Sequence, residues 1–399
     1  MLTPILIFSA TYLVLALGRL PGFRVDRTGA AIIGASLMIA FNVLTVGEAS
    51  AAIDFDTIIL LFGMMIVVAN LRVSGFFAVI SAWVVEHAHR PLVLLSAIVF
   101  VSGIFSAFFV NDTMCLVLTP LVLDVTRGLR RNPVPYLLAV AMAANAGSVA
   151  TITGNPQNMM IGSFSNIGYR AFAGAMAPVA FAALLGTIVV IAVIYRNEFR
   201  SSQPVTPAHR RIRVNRALLY KAVAAAIGMI LLFFAGWPVP KVALVAGALL
   251  LITRRVKPER IYREIDWSLL VLFVGLFIVV AGLEKTPVSQ ELLNLARRLH
   301  LEHTTMLSAA SAVLSNLVSN VPAVLVFKPI IPKLADPNRA WLTLAMSSTL
   351  AGNLTLLGSV ANLIVVQRAR RDVEITFWEY AKAGAPLTII TIALGVWLL

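Results

Sequence analysis

VNDTMCLVLTP, residues 110–120, sets Asn111, Asp112 and Thr113 in a row between long apolar runs and closes with Pro120. In a water-soluble chain such a trio is an ordinary turn. The rest of the chain gives it a different setting. Of the 399 residues 59% are hydrophobic and 13% charged, with a mean hydropathy of +0.90, whereas a soluble domain carries about 25% charged residues. Apolar stretches at 2–19, 28–46, 57–71, 173–195, 217–235, 267–283 and 383–399 approach or reach the roughly 20 residues needed to span a bilayer core of about 30 Å. The sequence therefore describes a multi-span membrane protein, and its polar trio falls at membrane depth.

The formal net charge is +14, yet the basic residues form neither a patch nor a tail. They sit in short connections between apolar stretches, the distribution that sets topology in a bilayer, so nucleic acid is not an expected partner. One cysteine, Cys115, excludes an intrachain disulfide framework and a multi-cysteine metal centre. No His, Cys or carboxylate cluster shows metal-ligand spacing, no Walker A motif or dinucleotide fingerprint is present, and no nucleophile stands beside a base. The reading is of a protein without enzymatic activity, cofactor or metal. The opening MLTPILIF lacks a basic segment and a small-residue cleavage site, and reads as a retained span.

The chain also aligns with itself. IDFDTIILLFGMMIVVANL (53–71) matches IDWSLLVLFVGLFIVVAGL (265–283) without a gap, at an offset of 212. NDTMCLVLTP (111–120) lies against NVPAVLVFKP (320–329), each an Asn with a Pro nine residues later, and TITGNPQN (151–158) lies against TLLGSVAN (355–362). Three blocks in one order, at offsets drifting only from 212 to 204, mark two homologous halves. The first repeat covers 1–195 and the second 217–399, joined by a basic cytoplasmic linker at 196–216.

With the N-terminus placed outside, 24 of the 32 Lys and Arg residues fall on the cytoplasmic side, among them Arg127, Arg130 and Arg131. A full crossing by 91–126 would throw those three outside and invert the bias. Residues 91–126 are therefore expected to form a re-entrant hairpin with Asn111, Asp112 and Thr113 at its tip. A second hairpin is expected at about 303–335, with Ser319 and Asn320 at its tip. Each half then crosses five times, an odd number, so the halves are inverted. The expected fold class is an all-α polytopic membrane protein of two inverted-topology repeats. Scaffold spans lie within 1–72 and 217–283, broken helices at about 135–165 and 340–366, and both termini on the periplasmic or extracellular side.

Non-helical backbone at membrane depth persists only where protein buries it or where it lines a water-filled cavity. A hairpin tip and a helix break both leave backbone N–H and C=O groups free to meet a ligand. AGSVATITGNPQN (146–158) and LAGNLTLLGSVAN (350–362) read as such breaks, with Gly154 and Pro156 stopping the first arm. Asn155 and Asn158 in one half, and Gly352, Gly358, Ser359 and Asn362 in the other, supply the polar groups. By pseudo-symmetry the two tips and two breaks converge on one central site. Asp112, an ionisable residue at that depth, reads as a proton- or cation-coupling acid, against the alternative of a buried acid capping a half-helix. Asn111 and Asn320 read as substrate contacts, against plain caps, and Cys115 as a small core residue rather than a soft-ion ligand. Lys328 either attracts anions at the external mouth or snorkels. Glu284 and Lys285 end a span, while 76–90 and 289–300 read as amphipathic helices at the interface.

FFVNDTMCLVLTPLVL, TGNPQNMMIGSFSNIGYRAF, SNLVSNVPAVLVF and LLGSVANLIV together resemble the ion transporter superfamily, in the branch of ArsB-type arsenite permeases and related bacterial anion permeases. Sodium/proton antiporters of the NhaD type and divalent anion:sodium symporters are more distant relatives. The resemblance covers nearly the whole chain. It implies a homodimer in which each protomer carries a scaffold domain and a transport domain that slides as an elevator. The implied binding residues are Asn111, Asp112, Thr113, Gly154, Asn155, Asn158, Ser319, Asn320, Gly358, Ser359 and Asn362. The Asn111-Asp112 pair is similar to the first tip of arsenite permeases, whereas the sodium-coupled dicarboxylate branch carries Ser-Asn-Thr at both tips.

The expected function is secondary active transport in a bacterial inner membrane: proton-coupled efflux of arsenite, antimonite or a similar small inorganic anion, with Asp112 as the coupling acid. Rivals are a carboxylate transporter coupled to sodium or protons, a sodium/proton antiporter, and an anion subunit driven by a separate soluble ATPase.

Overall fold

In lipid a backbone must satisfy its own hydrogen bonds, so each apolar run becomes a helix. The computed structural model describes residues 2–20, 22–88, 90–200, 214–254 and 256–399. Among them are 21 α-helices and three 3-10 turns, with a single isolated β-bridge between Arg19 and Asp26 in place of any strand. Among the described residues, six helices are long and apolar enough to cross a membrane: Phe55–Ser74, Pro91–Phe108, Tyr169–Ile194, Arg216–Phe234, Trp267–Glu284 and Phe377–Leu398. Most of the linker expected at 196–216 lies outside the described residues.

The two halves repeat one element order. Arg27–Ala40, Phe55–Ser74 and Phe76–His87 in the first have counterparts Val239–Leu251, Trp267–Glu284 and Val288–Arg298 in the second. Pro133–Ser148, Ile152–Gly154 and Pro156–Ser165 recur as Pro337–Ala351, Leu356–Gly358 and Val360–Ala369, each starting 204 residues later. The halves interlock rather than sit side by side. A Cβ on Gly63 of helix Phe55–Ser74 would lie 2.6 Å from the backbone of Ala243, and one on Gly275 would lie 2.8 Å from the backbone of Ala31. These are the same crossing seen from either repeat, and only glycine permits so close a backbone approach.

Polar contacts outside the apolar layer tie the halves together. Thr45 and Glu48 form a capping box at the start of Val46–Ala52, and Glu48 Oε1 also accepts from Lys285 Nζ at 2.6 Å. The Lys285 bond, helped by those from Thr45, holds the exposed Glu48 carboxyl at about 2, well below its usual range. Arg72 pairs with Glu264 and Arg127 with Asp372, while the Tyr195 hydroxyl donates to Glu379 at 2.5 Å. Lys328 has partners within the fold. Its ammonium lies 3.5 Å from Glu284 and 5.3 Å from the centre of the Phe164 ring, so its charge is already engaged.

Three details differ from the sequence reading. Both arms beside the first tip, Pro91–Phe108 and Asn111–Gly128, are full 18-residue helices, about 27 Å each at 1.5 Å per residue; in the second half the arm after the tip, Asn320–Phe327, has only eight residues. Pro120 and Pro329 are not equivalent: the first lies inside its helix and the second beyond the end of its own. Finally, Gly154 and Pro156 do not stop the first arm of the broken helix. That arm ends at Ser148, and Pro156 opens the next helix at its first position, where a missing N–H costs nothing.

Candidate functional site

The two helix breaks are built alike. Thr151 caps the short turn Ile152–Gly154, and Asn155 then caps Pro156–Ser165 by accepting from the Asn158 amide at 2.8 Å. The Asn158 side chain spans the break, its Nδ2 donating to the carbonyls of Ser148 at 3.1 Å and Thr151 at 3.0 Å. Asn362 does the same in the second half, donating to the carbonyls of Gly352 at 2.7 Å and Thr355 at 3.0 Å. Each asparagine satisfies two carbonyls that the interrupted helix leaves free. Asn158 and Asn362 are expected ligand contacts in the sequence; here their amide nitrogens brace the breaks. Gly154 is required by packing, since a Cβ there would stand 2.1 Å from the Ser148 carbonyl. Gly358 is tight too: a Cβ would meet Asn316 Oδ1 at 2.7 Å.

The centre of the arrangement is Asn145, which the sequence reading did not single out. Its Oδ1 accepts from Asn111 Nδ2 at 3.0 Å and from Ser359 Oγ at 3.2 Å. Its Nδ2 donates to Asn353 Oδ1 at 2.9 Å and Asn362 Oδ1 at 3.0 Å. One side chain, 0% exposed, thus joins the first hairpin tip, the first broken helix and the second broken helix. The repeat offset of 204 places Thr349 opposite it, and Thr349 plays the mirrored part: Asn155 Nδ2 donates to its hydroxyl at 3.3 Å and Gln157 Nε2 at 3.1 Å. The second hairpin joins through Ser315, whose hydroxyl donates to Asn320 Oδ1 at 2.6 Å and to the Ser348 carbonyl at 2.9 Å.

Asn111, Ser359 and Asn362 meet on Asn145, Asn155 hydrogen-bonds to Thr349, and Asn320 to Ser315 of its own hairpin; the sequence reading singled out none of these three partners. Asn145 offered a signal, as the lone amide in the run AVAMAANAG. Neither tip asparagine is a side-chain cap; each occupies the first position of its helix. Asp112 follows in the first turn, half-buried, with no hydrogen bond or ion pair among the described residues. It does not cap, although the helix N-terminus beside it favours a negative charge. Thr113 is half-buried beside it, and Cys115 is buried at 0% exposure in the apolar core. The buried Oδ1 atoms of Asn111 and Asn158 accept no hydrogen bond. The network contains no Lys, Arg or His. It offers neutral amides and hydroxyls, two unused acceptors and one adjacent acid.

Ser319 carries the strain of the second tip. Its φ of 78° and ψ of 161° lie in a region reserved essentially for glycine. Ser319→Gly is expected to raise the thermal midpoint of the purified protein, since relief of that strain is worth about 1–3 kcal/mol. A midpoint that stays put or falls would show that the serine side chain stabilises the tip by more than the strain costs.

Helices interrupted at matching places in two repeats, with hairpin tips meeting the breaks, define a multi-pass membrane transporter of the secondary type. The chain belongs to the citrate transporter family: the CitMHS family description, citrate transporter, matches residues 12–351. The silicon efflux transporter LSI3 of Oryza sativa subsp. japonica is 29% identical over 98% of this chain and 95% of its own length. A Dictyostelium discoideum transporter named arsB is 25% identical over 93% of this chain and 87% of its own. The crystal structure of the Alcanivorax borkumensis YdaH transporter shares the fold, with a TM-score of 0.64 at 16% identity over 99% of this chain and 95% of that one.

Proposed function

We propose that this secondary transporter exports arsenite, antimonite or a similar small inorganic hydroxide or its anion, driven by the proton gradient, with sodium as the alternative coupling ion. The observation that carries the reading is the neutral character of the network around Asn145. A carboxylate such as citrate brings several negative charges, and stripping them of water costs many kcal/mol unless cations receive them. The network supplies none, and Asp112, in the first turn beside Asn111, would repel such a substrate. Small hydroxides of metalloids are largely uncharged at neutral pH and present only O–H groups and oxygen lone pairs, which amides and hydroxyls match. The names of two relatives, a silicon efflux transporter and arsB, fit that chemistry; the family description, citrate transporter, favours a carboxylate instead.

In this reading Asn111, Thr113, Asn155, Asn320 and Ser359 contact substrate, and Asp112 takes up and releases the coupling proton. The hairpins and broken helices form a transport domain that slides against a scaffold, two protomers make a homodimer in a bacterial inner membrane, and both termini face outward. No ATPase is needed when a proton gradient does the work. The deciding experiment is arsenite uptake into everted vesicles containing the protein, with and without a proton gradient and with and without sodium. Gradient-dependent accumulation is expected. Accumulation of citrate but not arsenite under the same conditions would overturn the substrate assignment and leave the transporter class standing.

A further inference from the structure

Far in sequence from the polar network, HLEH (300–303) connects the helix Val288–Arg298 to the first arm of the second hairpin, Thr304–Val318. This turn is held by its backbone. His300 takes a left-handed φ of 51°, and amide-to-carbonyl bonds run from His300 to Arg297 at 3.1 Å, from Leu301 to Ala296 at 3.0 Å and from His303 to His300 at 3.0 Å. Leu301, 4% exposed, anchors it in the core. The result is that three side chains ordinarily splayed by sequence spacing point to one spot. Ligand atoms of His300, Glu302 and His303 all lie within 4.8 Å of one another, and all three residues are exposed. His300 Nδ1 and Glu302 Oε1 are 3.3 Å apart.

We infer that His300, Glu302 and His303 form a binding site for a divalent cation of the zinc class. Two imidazoles and one carboxylate are a donor set that zinc accepts, with a solvent molecule completing four-coordination. Bonds of about 2.0–2.2 Å in a tetrahedron set neighbouring ligand atoms about 3.4 Å apart. The His300–Glu302 pair already meets that spacing, so only the His303 ring, 6.2 Å from that of His300 between centres, has to swing inward. His303 occupies the N-cap of its helix without making a side-chain cap bond, which leaves its imidazole available. Nitrogen donors select zinc, copper or nickel over the oxygen-seeking calcium and magnesium. Glu302 supplies negative charge against Arg297 and Arg298 in the preceding turn, whose repulsion weakens the affinity. Occupancy fastens the amphipathic helix to the hairpin arm, fixing the angle at which the two meet.

The test is a titration of the full-length, tag-free protein in detergent or nanodiscs with zinc chloride, followed by calorimetry. Wild type is expected to bind one equivalent saturably, and calcium or magnesium in excess not to compete. His300→Asn keeps a residue tolerant of the left-handed backbone, and His303→Asn keeps a good helix cap, so both variants retain the turn while removing a ligand. Each is expected to weaken binding at least tenfold. Amide exchange over 288–303 is expected to slow with zinc in wild type only. Binding unchanged in either variant, full competition by calcium, or no saturable binding by wild type would overturn the site.

Discussion

Asp112→Asn is expected to abolish gradient-driven flux of the transported hydroxide while the protein still inserts, folds and exchanges substrate across vesicles without a gradient. The substitution is nearly isosteric and removes only the ability to ionise. Asp112 makes no hydrogen bond or ion pair among the described residues, so no structural partner is lost with its charge. It sits in the first turn of Asn111–Gly128, next to the asparagine that contacts the central hub, where a change of protonation reaches the network directly. The measurement is concentrative uptake with an imposed proton gradient set against counterflow at zero gradient. Loss of the first with retention of the second, an effect of at least tenfold on concentrative uptake, marks a coupling residue. Equal loss of both marks a structural or substrate-contact role, and unchanged uptake removes Asp112 from the mechanism.

The second large effect is expected from Asn145→Ala. Truncation leaves Asn111 Nδ2, the Ser359 hydroxyl and the Oδ1 atoms of Asn353 and Asn362 without the partners they now have. An abandoned buried polar group costs about 1–3 kcal/mol, and four share this one partner. A loss of about 3 kcal/mol or more is expected, read as a thermal midpoint lower by many degrees and as loss of transport. The mirrored variant, Thr349→Val, is the comparison. It withdraws the acceptor used by Asn155 and Gln157, yet Asn155 keeps its bonds to the Ser148 carbonyl and hydroxyl. The smaller effect is therefore expected at Thr349. A Thr349→Val loss as large as that of Asn145→Ala would show that the network has no single centre.

The positions of the polar breaks were legible because each is a local event. A helix in lipid cannot be interrupted by Gly, Pro and Asn without compensation, and the match of TITGNPQN to TLLGSVAN shows the same interruption twice. What each break does with its polar groups was less legible. Asn158 reads as a ligand contact in the sequence; in the fold its Nδ2 goes to two carbonyls of its own break while its Oδ1 accepts no hydrogen bond. Lys328 reads as a cation that attracts anions at the external mouth or snorkels, but Glu284 comes to it from another helix.

Composition, apolar run length and internal repetition determined that this chain is an all-helical membrane protein of two related halves, because burial in lipid and helix formation depend on residues adjacent in sequence. Tertiary structure alone decided which amide stands at the centre. The partners of Asn145 are 34 residues away at Asn111 and 217 away at Asn362, and no local pattern records a meeting across such distances. It likewise decided that His300, Glu302 and His303 converge, since only the left-handed turn at His300 aims their side chains at one point.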